Sequence, residues 1–178
     1  MFTIFMTGLS GAGKSTLASA LQEKLAGMSI NSCVIDGDIY RKTISKDLGF
    51  SAADRRENIY RLAETASQLA LQGIIPIVAA INPFEDQRIE LAKKYNSKMI
   101  WIKCDLKKLV ERDTKGLYKK ALLPDDHPDK LWNLTGVNDP YQKPENPDLT
   151  IDTSDVSIND SVKELVSYVA KLLKVYPA

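Results

Sequence analysis

Gly8-Leu9-Ser10-Gly11-Ala12-Gly13-Lys14-Ser15 follows the apolar run Phe2 to Met6 and precedes a helical pattern. The spacing is GxxxxGKS, with strand, loop and helix in the order that a phosphate cradle requires. Its glycines let successive backbone N–H groups turn inward on one anion. The Lys14 ammonium can reach β- and γ-phosphates, and the Ser15 hydroxyl can ligate Mg²⁺. A helix predicted from Ser15 to Leu25 points its positive end at the same phosphates. The competing reading, a glycine-rich turn that binds nothing, leaves the order of the three elements unexplained.

The 178 residues suffice for one well-buried core and are too few for two ordinary domains. Twenty-four Lys and Arg stand against twenty-three Asp and Glu. So balanced a chain has no general attraction to nucleic acid or anionic membrane, and any anion site must be local. Cys33 and Cys104 lack a metal-type spacing and lie in apolar, strand-like runs. They read as free, buried thiols in a reducing cytoplasm. The N-terminus has no basic n-region, and no apolar run approaches the roughly 20 residues of a membrane helix. A cytoplasmic protein is expected.

Outward from the loop, Phe2 to Thr7 reads as a buried central strand, because its apolar residues run on without alternating. Leu17, Leu21 and Leu25 share one helix face, with Gly27 placed as a C-terminal cap. Cys33-Val34-Ile35 reads as a second strand. It ends in Asp36-Gly37-Asp38, so two carboxylates emerge at the strand edge where ligands of open α/β sheets bind; the same three residues read equally well as plain turn chemistry. Ser51 to Asp54 reads as a capping box opening a helix from Ala52 to Gln72, closed by Gly73. Asp54, Arg55, Arg56, Glu57, Asn58 and Arg61 crowd its first turns, a run for which a solvated face is the simpler reading. Ile74 to Ile81 is the next buried strand, and Asn82-Pro83 caps a helix from Glu85 to Tyr95. Met99 to Lys103 and Leu106 to Arg112 follow as strand and short helix. From 113 to 147 there is little periodicity and much Pro, Asp and Lys, which reads as a mobile lid. His127, in that segment, has no partner at a fixed spacing and reads as a loop residue. Leu149-Thr150-Ile151 and a helix from Ile158 to Leu173 complete an α/β fold in three layers, a mainly parallel sheet covered by helices on both faces.

Several blocks together resemble the adenylyl-sulfate (APS) kinase family: Gly8 to Thr16, Asp36-Gly37-Asp38 with Arg41, Lys46 to Phe50, Asp54 to Ile59, Lys115 to Ala121, Thr135-Gly136-Val137, and Asp139-Pro140-Tyr141 with Pro144 and Pro147. They occur in family order from about residue 3 to residue 152. The resemblance implies a single P-loop kinase domain over 1–178, a P-loop NTPase fold with a lid loop, and transfer of the γ-phosphoryl group of ATP to the ribose 3′-hydroxyl of adenylyl sulfate. It implies that Gly8, Ser10, Gly11, Ala12, Gly13, Lys14, Ser15 and Thr16 hold ATP, with Mg²⁺ on Ser15. A nucleotide acceptor would face Asp38, Arg41, Phe50, Arg55, Asn58, Ile81 and Asn82, with Lys115, Asn133 and Leu134 on the lid side. Lys14 and Asp38 would be catalytic; Asp38 is placed to orient or deprotonate a ribose hydroxyl, or to hold Mg²⁺ through water. A homodimer is expected from the same resemblance.

The departures fall on the acceptor side. Asn82-Pro83-Phe84 stands where the family commonly has Ser-Pro-Tyr, so a phosphoserine route is excluded there. Glu85 would make that wall less welcoming to a dianion. Leu134 stands where an aromatic clamp is usual, with Trp132 near enough to substitute. Such changes also suit an APS-kinase-like enzyme acting on cytidine diphosphoramidate. A non-catalytic nucleotide-binding module is the alternative of another class, opposed by the joint presence of Lys14, Ser15, Asp38 and Arg41.

Overall fold

In a computed structural model that describes residues 1–174, five parallel strands form one sheet in the order β2-β3-β1-β4-β5. They are β1 (Thr3–Thr7), β2 (Ser32–Asp36), β3 (Ile75–Ala79), β4 (Ser97–Lys103) and β5 (Leu149–Asp152). The central strand β1 is buried throughout. Its side chains alternate between two apolar layers, which is why the run shows no polar alternation. Ile4 and Met6 face a core completed by α1 (Lys14–Gly27) and α7 (Ile158–Leu173). Phe5 faces a second core built from α3 (Ala52–Leu71) and α4 (Glu85–Lys94). The three-layer expectation therefore holds. No described helix is long and apolar enough to cross a membrane.

Helix ends follow their caps. Ser51 and Asp54 form the reciprocal capping box of α3, and Gly73, at φ +79°, takes the left-handed turn after it. Gly27, by contrast, is the last residue of α1; the left-handed turn falls on Ser29 at φ 58°. Asn82-Pro83 does not cap α4 either: its N-cap is Phe84, which makes no side-chain cap bond. Both cysteines are free but only partly buried, and Cys104 lies one residue past β4.

Two short helices lie where no periodicity could announce them. α2 (Gly37–Arg41) starts directly from β2, with Asp36 as N-cap accepting from the N–H groups of Asp38 and Ile39. After α5 (Leu106–Arg112) the segment from 113 to 147 contains α6 (Leu117–Ala121). Asp113 serves both, ending α5 while its carboxylate accepts from the N–H groups of Tyr118 and Lys119. This segment packs down on the carboxyl edge of the sheet. Gly136 is one reason it can: a Cβ there would lie 2.5 Å from the Leu9 side chain, and its φ is +88°.

Candidate active site

The carboxyl ends of β1, β2 and β3 open onto two adjoining cavities. The first, of about 200 Å³, is floored by Ser10, Gly11, Gly13, Lys14, Ser15 and Thr16 and walled by Asp36, Asp38, Ala80, Ile81 and Lys115. Gly8 lets the loop leave β1 tightly, since a Cβ there would sit 2.3 Å from the Ile102 carbonyl oxygen. Among the described residues the N–H groups of Gly11 and Gly13 donate no backbone hydrogen bond. The first N–H groups of α1 also lack intrahelical partners by construction. That is a nest of donors suited to an anion. Ala12 is fully buried and contributes backbone only.

Lys14 donates to the Leu9 carbonyl at 2.8 Å. Burial pulls its ammonium down to about 8; Lys115 pushes the same way, and Asp38 and Asp36 oppose. A phosphate would supply the counter-charge that the site withholds. The Ser15 hydroxyl donates to Asp36 Oδ2 at 2.5 Å, which sets two hard oxygen donors side by side. Asp36 Oδ1 is used by the Asp38 and Ile39 N–H groups. Turn chemistry and site chemistry are thus both present in Asp36-Gly37-Asp38, on different oxygens.

The second cavity, of about 80 Å³, is lined by Asp38, Arg41, Phe50, Arg55, Asn58, Ile81 and Asn82 among others. Phe50 is 53 % exposed, with the Arg41 guanidinium 4.7 Å and the Arg55 guanidinium 5.6 Å from its ring centre. Arg41 also donates to the Gly49 carbonyl at 2.8 Å. Within this lining, three buried amide atoms have no hydrogen-bond partner among the described residues: Asn58 Oδ1 and both polar atoms of Asn82. Asn82 sits at φ 43°, a conformation asparagine tolerates better than most residues. Asp38 spans both cavities and pairs with Lys115. Desolvation alone would raise its pKa; the Lys115 bond and charge, with Lys14 and Arg41 behind, outweigh it and hold the carboxyl below its ordinary value.

Not every expected residue meets these cavities. The charged run opening α3 is only in part a solvated face: Arg55 and Asn58 are buried, whereas Arg56 pairs outward with Asp86, and Arg61 with Asp47 and Glu57. Arg55 is held by Asp139 at 2.9 Å and by the Asn133 carbonyl at 2.7 Å. Asn133 therefore enters through its backbone. Leu134, expected to face the acceptor, is 5 % exposed and belongs to the main core, and Trp132 lies 58 % exposed under the Lys130 ammonium. Apolar packing outweighs the clamp position, and neither side chain lines the second cavity. Glu85 does not charge the pocket wall. Arg88 takes one of its oxygens at 2.5 Å and the Glu145 N–H the other at 3.1 Å. His127 is a loop residue whose Nδ1 accepts from the Asp129 N–H.

A third cavity, of about 360 Å³, adjoins Gly11 to Gly13 and is lined by Arg112, Thr114, Thr153, Val156 and Ile158. It offers room for the nucleoside of a nucleotide whose phosphates rest on the loop. Sequence reasoning missed it, because the lining comes from three separate segments with no shared spacing.

The sequence profile of the family described as adenylylsulphate kinase matches residues 1–152. An adenylyl-sulfate kinase of Deinococcus deserti is 44 % identical over 166 residues, covering 93 % of this chain and 89 % of that protein. One from Bacillus pumilus is 43 % identical over 174 residues, 96 % of this chain and 86 % of the other. Among solved structures, the APS kinase of Mycobacterium tuberculosis in complex with AMPPNP and APS is similar, with a TM-score of 0.86 at 36 % identity, covering 94 % of this chain and 96 % of that one.

Proposed function

The chain belongs to the adenylylsulphate kinase family, and from that premise we propose that it transfers the γ-phosphoryl group of ATP to the ribose 3′-hydroxyl of adenylyl sulfate, giving 3′-phosphoadenylyl sulfate and ADP. One observation carries the reading. The phosphate-loop cavity and the Phe50 cavity share Asp38, Ala80 and Ile81 as a common wall. A donor phosphate on one side and an acceptor hydroxyl on the other would meet at Asp38. The AMPPNP and APS bound together in the Mycobacterium tuberculosis relative support the same pair of ligands.

In this reading Gly8, Ser10, Gly11, Ala12, Gly13, Lys14, Ser15 and Thr16 hold ATP, and the Arg112 to Ile158 cavity takes its nucleoside. The residues present fit Mg²⁺. Ser15 and Asp36 offer adjacent hard oxygens, and among the described residues no cluster of three His, Cys, Asp or Glu side chains forms a self-sufficient cage. Mg²⁺ typically takes one or two protein oxygens and completes its shell with phosphates and water. When bound it would neutralise charge on the β- and γ-phosphates.

Phe50 stacks the acceptor base, Arg41 and Arg55 meet its anionic groups, and the unpartnered amides of Asn58 and Asn82 supply hydrogen bonds. Asp38, kept ionised by Lys115, accepts a hydrogen bond from the attacking hydroxyl and orients it. Its depressed pKa makes it a poor proton store, and the loose transition state of phosphoryl transfer asks for little general-base help. Lys14 and Lys115 stabilise charge on the transferred group. The segment 113–147 acts as the lid, and a homodimer is the proposed assembly, to be checked by sedimentation. Because Glu85 and Leu134 turn away from the acceptor cavity, those two departures lose their force, whereas Asn82 and Pro83 remain in its lining.

The test is ADP release with ATP and Mg²⁺, presenting adenylyl sulfate and cytidine diphosphoramidate in parallel at equal, low concentrations. A kcat/KM far higher for adenylyl sulfate is expected. A preference for the cytidine compound would overturn the acceptor assignment, and activity with neither would leave only the ATP half.

A further inference from the structure

We propose that Tyr118 and Thr153 are positioning residues that aim the N–H groups of Gly11 and Gly13 at the phosphates of the bound nucleotide. The inference rests on the ATP-cradle reading above and adds residues outside the loop to it. In a trans peptide the carbonyl and the following N–H point in opposite directions, so holding one fixes the other. The described chain has no cis peptides. The Tyr118 hydroxyl, on α6, donates to the Ser10 carbonyl at 2.8 Å in a buried contact between residues 108 positions apart. That bond turns the Ser10 oxygen away from the cavity and commits the Gly11 N–H to the other side. Thr153, just past β5, donates its hydroxyl to the Ala12 carbonyl at 2.9 Å across 141 positions, with the Lys103 carbonyl at 3.1 Å sharing the same hydrogen. The Gly13 N–H is thereby turned in turn.

The arrangement is specific to alternate peptides of the loop. Gly11 and Gly13 both border the phosphate-side cavity, and both lack a backbone acceptor among the described residues. Ala12, between them, is differently occupied: its N–H donates to the Leu9 carbonyl at 3.3 Å. Tyr118 itself lines none of the three cavities, so it can act on a nucleotide only through the loop. Burial pushes its phenol up to about 12, with the charges of Cys104 and Asp113 adding to the effect. It therefore remains a donor at any physiological pH. Without these two anchors the glycine-rich loop would be free to flip its peptides, and the donors would have to be ordered at the moment of binding.

The experiment measures dissociation constants for AMPPNP with Mg²⁺ and for adenosine, together with the KM of the acceptor, in the intact protein and in Tyr118→Phe, Thr153→Val and Thr153→Ser. Tyr118→Phe should weaken AMPPNP about tenfold, roughly the loss of one hydrogen bond to a charged group. Its adenosine affinity and acceptor KM should stay within about twofold, because neither ligand takes its binding from those N–H groups. Thr153→Val should weaken AMPPNP comparably while leaving adenosine within about twofold, which separates an effect on the loop from one on the nucleoside cavity that Thr153 borders. Thr153→Ser should restore AMPPNP affinity, since Ser keeps the donor; this pair decides the matter if Tyr118→Phe folds poorly. Unchanged AMPPNP affinity in folded Tyr118→Phe overturns the proposal, as does an equal loss for adenosine, which would mean a collapsed cavity, or equal losses in Thr153→Val and Thr153→Ser. Failure of the unsubstituted protein to bind AMPPNP would instead refute the cradle reading, and this inference with it.

Discussion

Raising the pH through about 8 should discharge Lys14 in the ligand-free protein, so nucleotide binding above that pH should take up a proton. Burial holds the free ammonium at about 8, well below the 10.5 of an ordinary lysine. Phosphates placed against it would return it toward the ordinary range. Near pH 7 about a tenth of free Lys14 is uncharged, near pH 8 about half, and near pH 9 about nine-tenths. Uptake on binding should therefore follow about 0.1, 0.5 and 0.9 proton, and affinity should fall toward about tenfold per pH unit above 8. Calorimetric titration of ATP and Mg²⁺ without acceptor, at each pH in two buffers of different ionisation enthalpy, reads the uptake directly. ATP phosphates are already ionised at the upper two pH values, so the proton belongs to the protein. Lys14→Met should abolish both uptake and phosphoryl transfer. Stability of the ligand-free protein responds to pH in the opposite sense. Between about 8 and 10.5 the unfolded chain holds more protons at this position than the folded one. This lysine's cost to the ligand-free fold is therefore full below pH 8 and relieved as pH rises through that window. Lys14→Met should then raise the Tm of the ligand-free protein at neutral pH. Absent uptake near pH 9, or uptake that survives in Lys14→Met, would refute the reasoning.

Phe50→Ala removes a stacking platform and should raise the acceptor KM by about 1–3 kcal/mol, roughly fivefold to 150-fold. As the side chain is 53 % exposed, thermal unfolding should change little; an unchanged KM in folded protein would remove Phe50 from the site. Leu134→Phe, which would supply an aromatic clamp if the position faced the acceptor, should instead overpack a core where Leu134 is 5 % exposed. The expected cost is about 1–3 kcal/mol in denaturant unfolding with no gain in acceptor affinity. Tighter acceptor binding at full stability would show that the position does reach the ligand. Gly136→Ala should lower Tm by several degrees, since the new Cβ meets Leu9 Cδ2 at 2.5 Å and φ is +88°, a backbone strain of about 1–2 kcal/mol. An unaltered scanning-calorimetry trace would contradict that packing.

The two sides of the site are tied together chiefly by the segment 113–147. It sends Lys115 to Asp38, Asp139 and the Asn133 carbonyl to Arg55, Tyr118 to Ser10, and the Gly136 backbone against Leu9. A carboxylate now occupies the guanidinium that an acceptor anion would use. In the proposed reading an acceptor anion would compete with Asp139 for Arg55, and that competition would favour ligands that carry a negative charge at that point.

Much of this architecture was legible because it is written in spacing along the chain. The strand-loop-helix at Gly8 to Ser15 and the capping box of α3 are local devices, and the helix read from Ile158 to Leu173 has those same limits in the structure. Helices α2 and α6, of five residues each, are too short to show a period. The Glu85–Arg88 pair lay at a helical i,i+3 spacing, so that contact was readable once the helix was placed. Leu134 was not. Its position in a motif suggested a face for a base, whereas it is buried in the main core, whose members come from β1, α1, β3, β4 and α7 as well as from its own segment. The phosphate loop shows where the boundary falls. Its identity is carried by eight consecutive residues, yet the direction of its peptides depends on hydroxyls 108 and 141 positions away. Tyr118 lies inside the block Lys115 to Ala121 and Thr153 stands just past the last strand, yet neither position names a partner; only the three-dimensional path of the chain makes them donors to that loop.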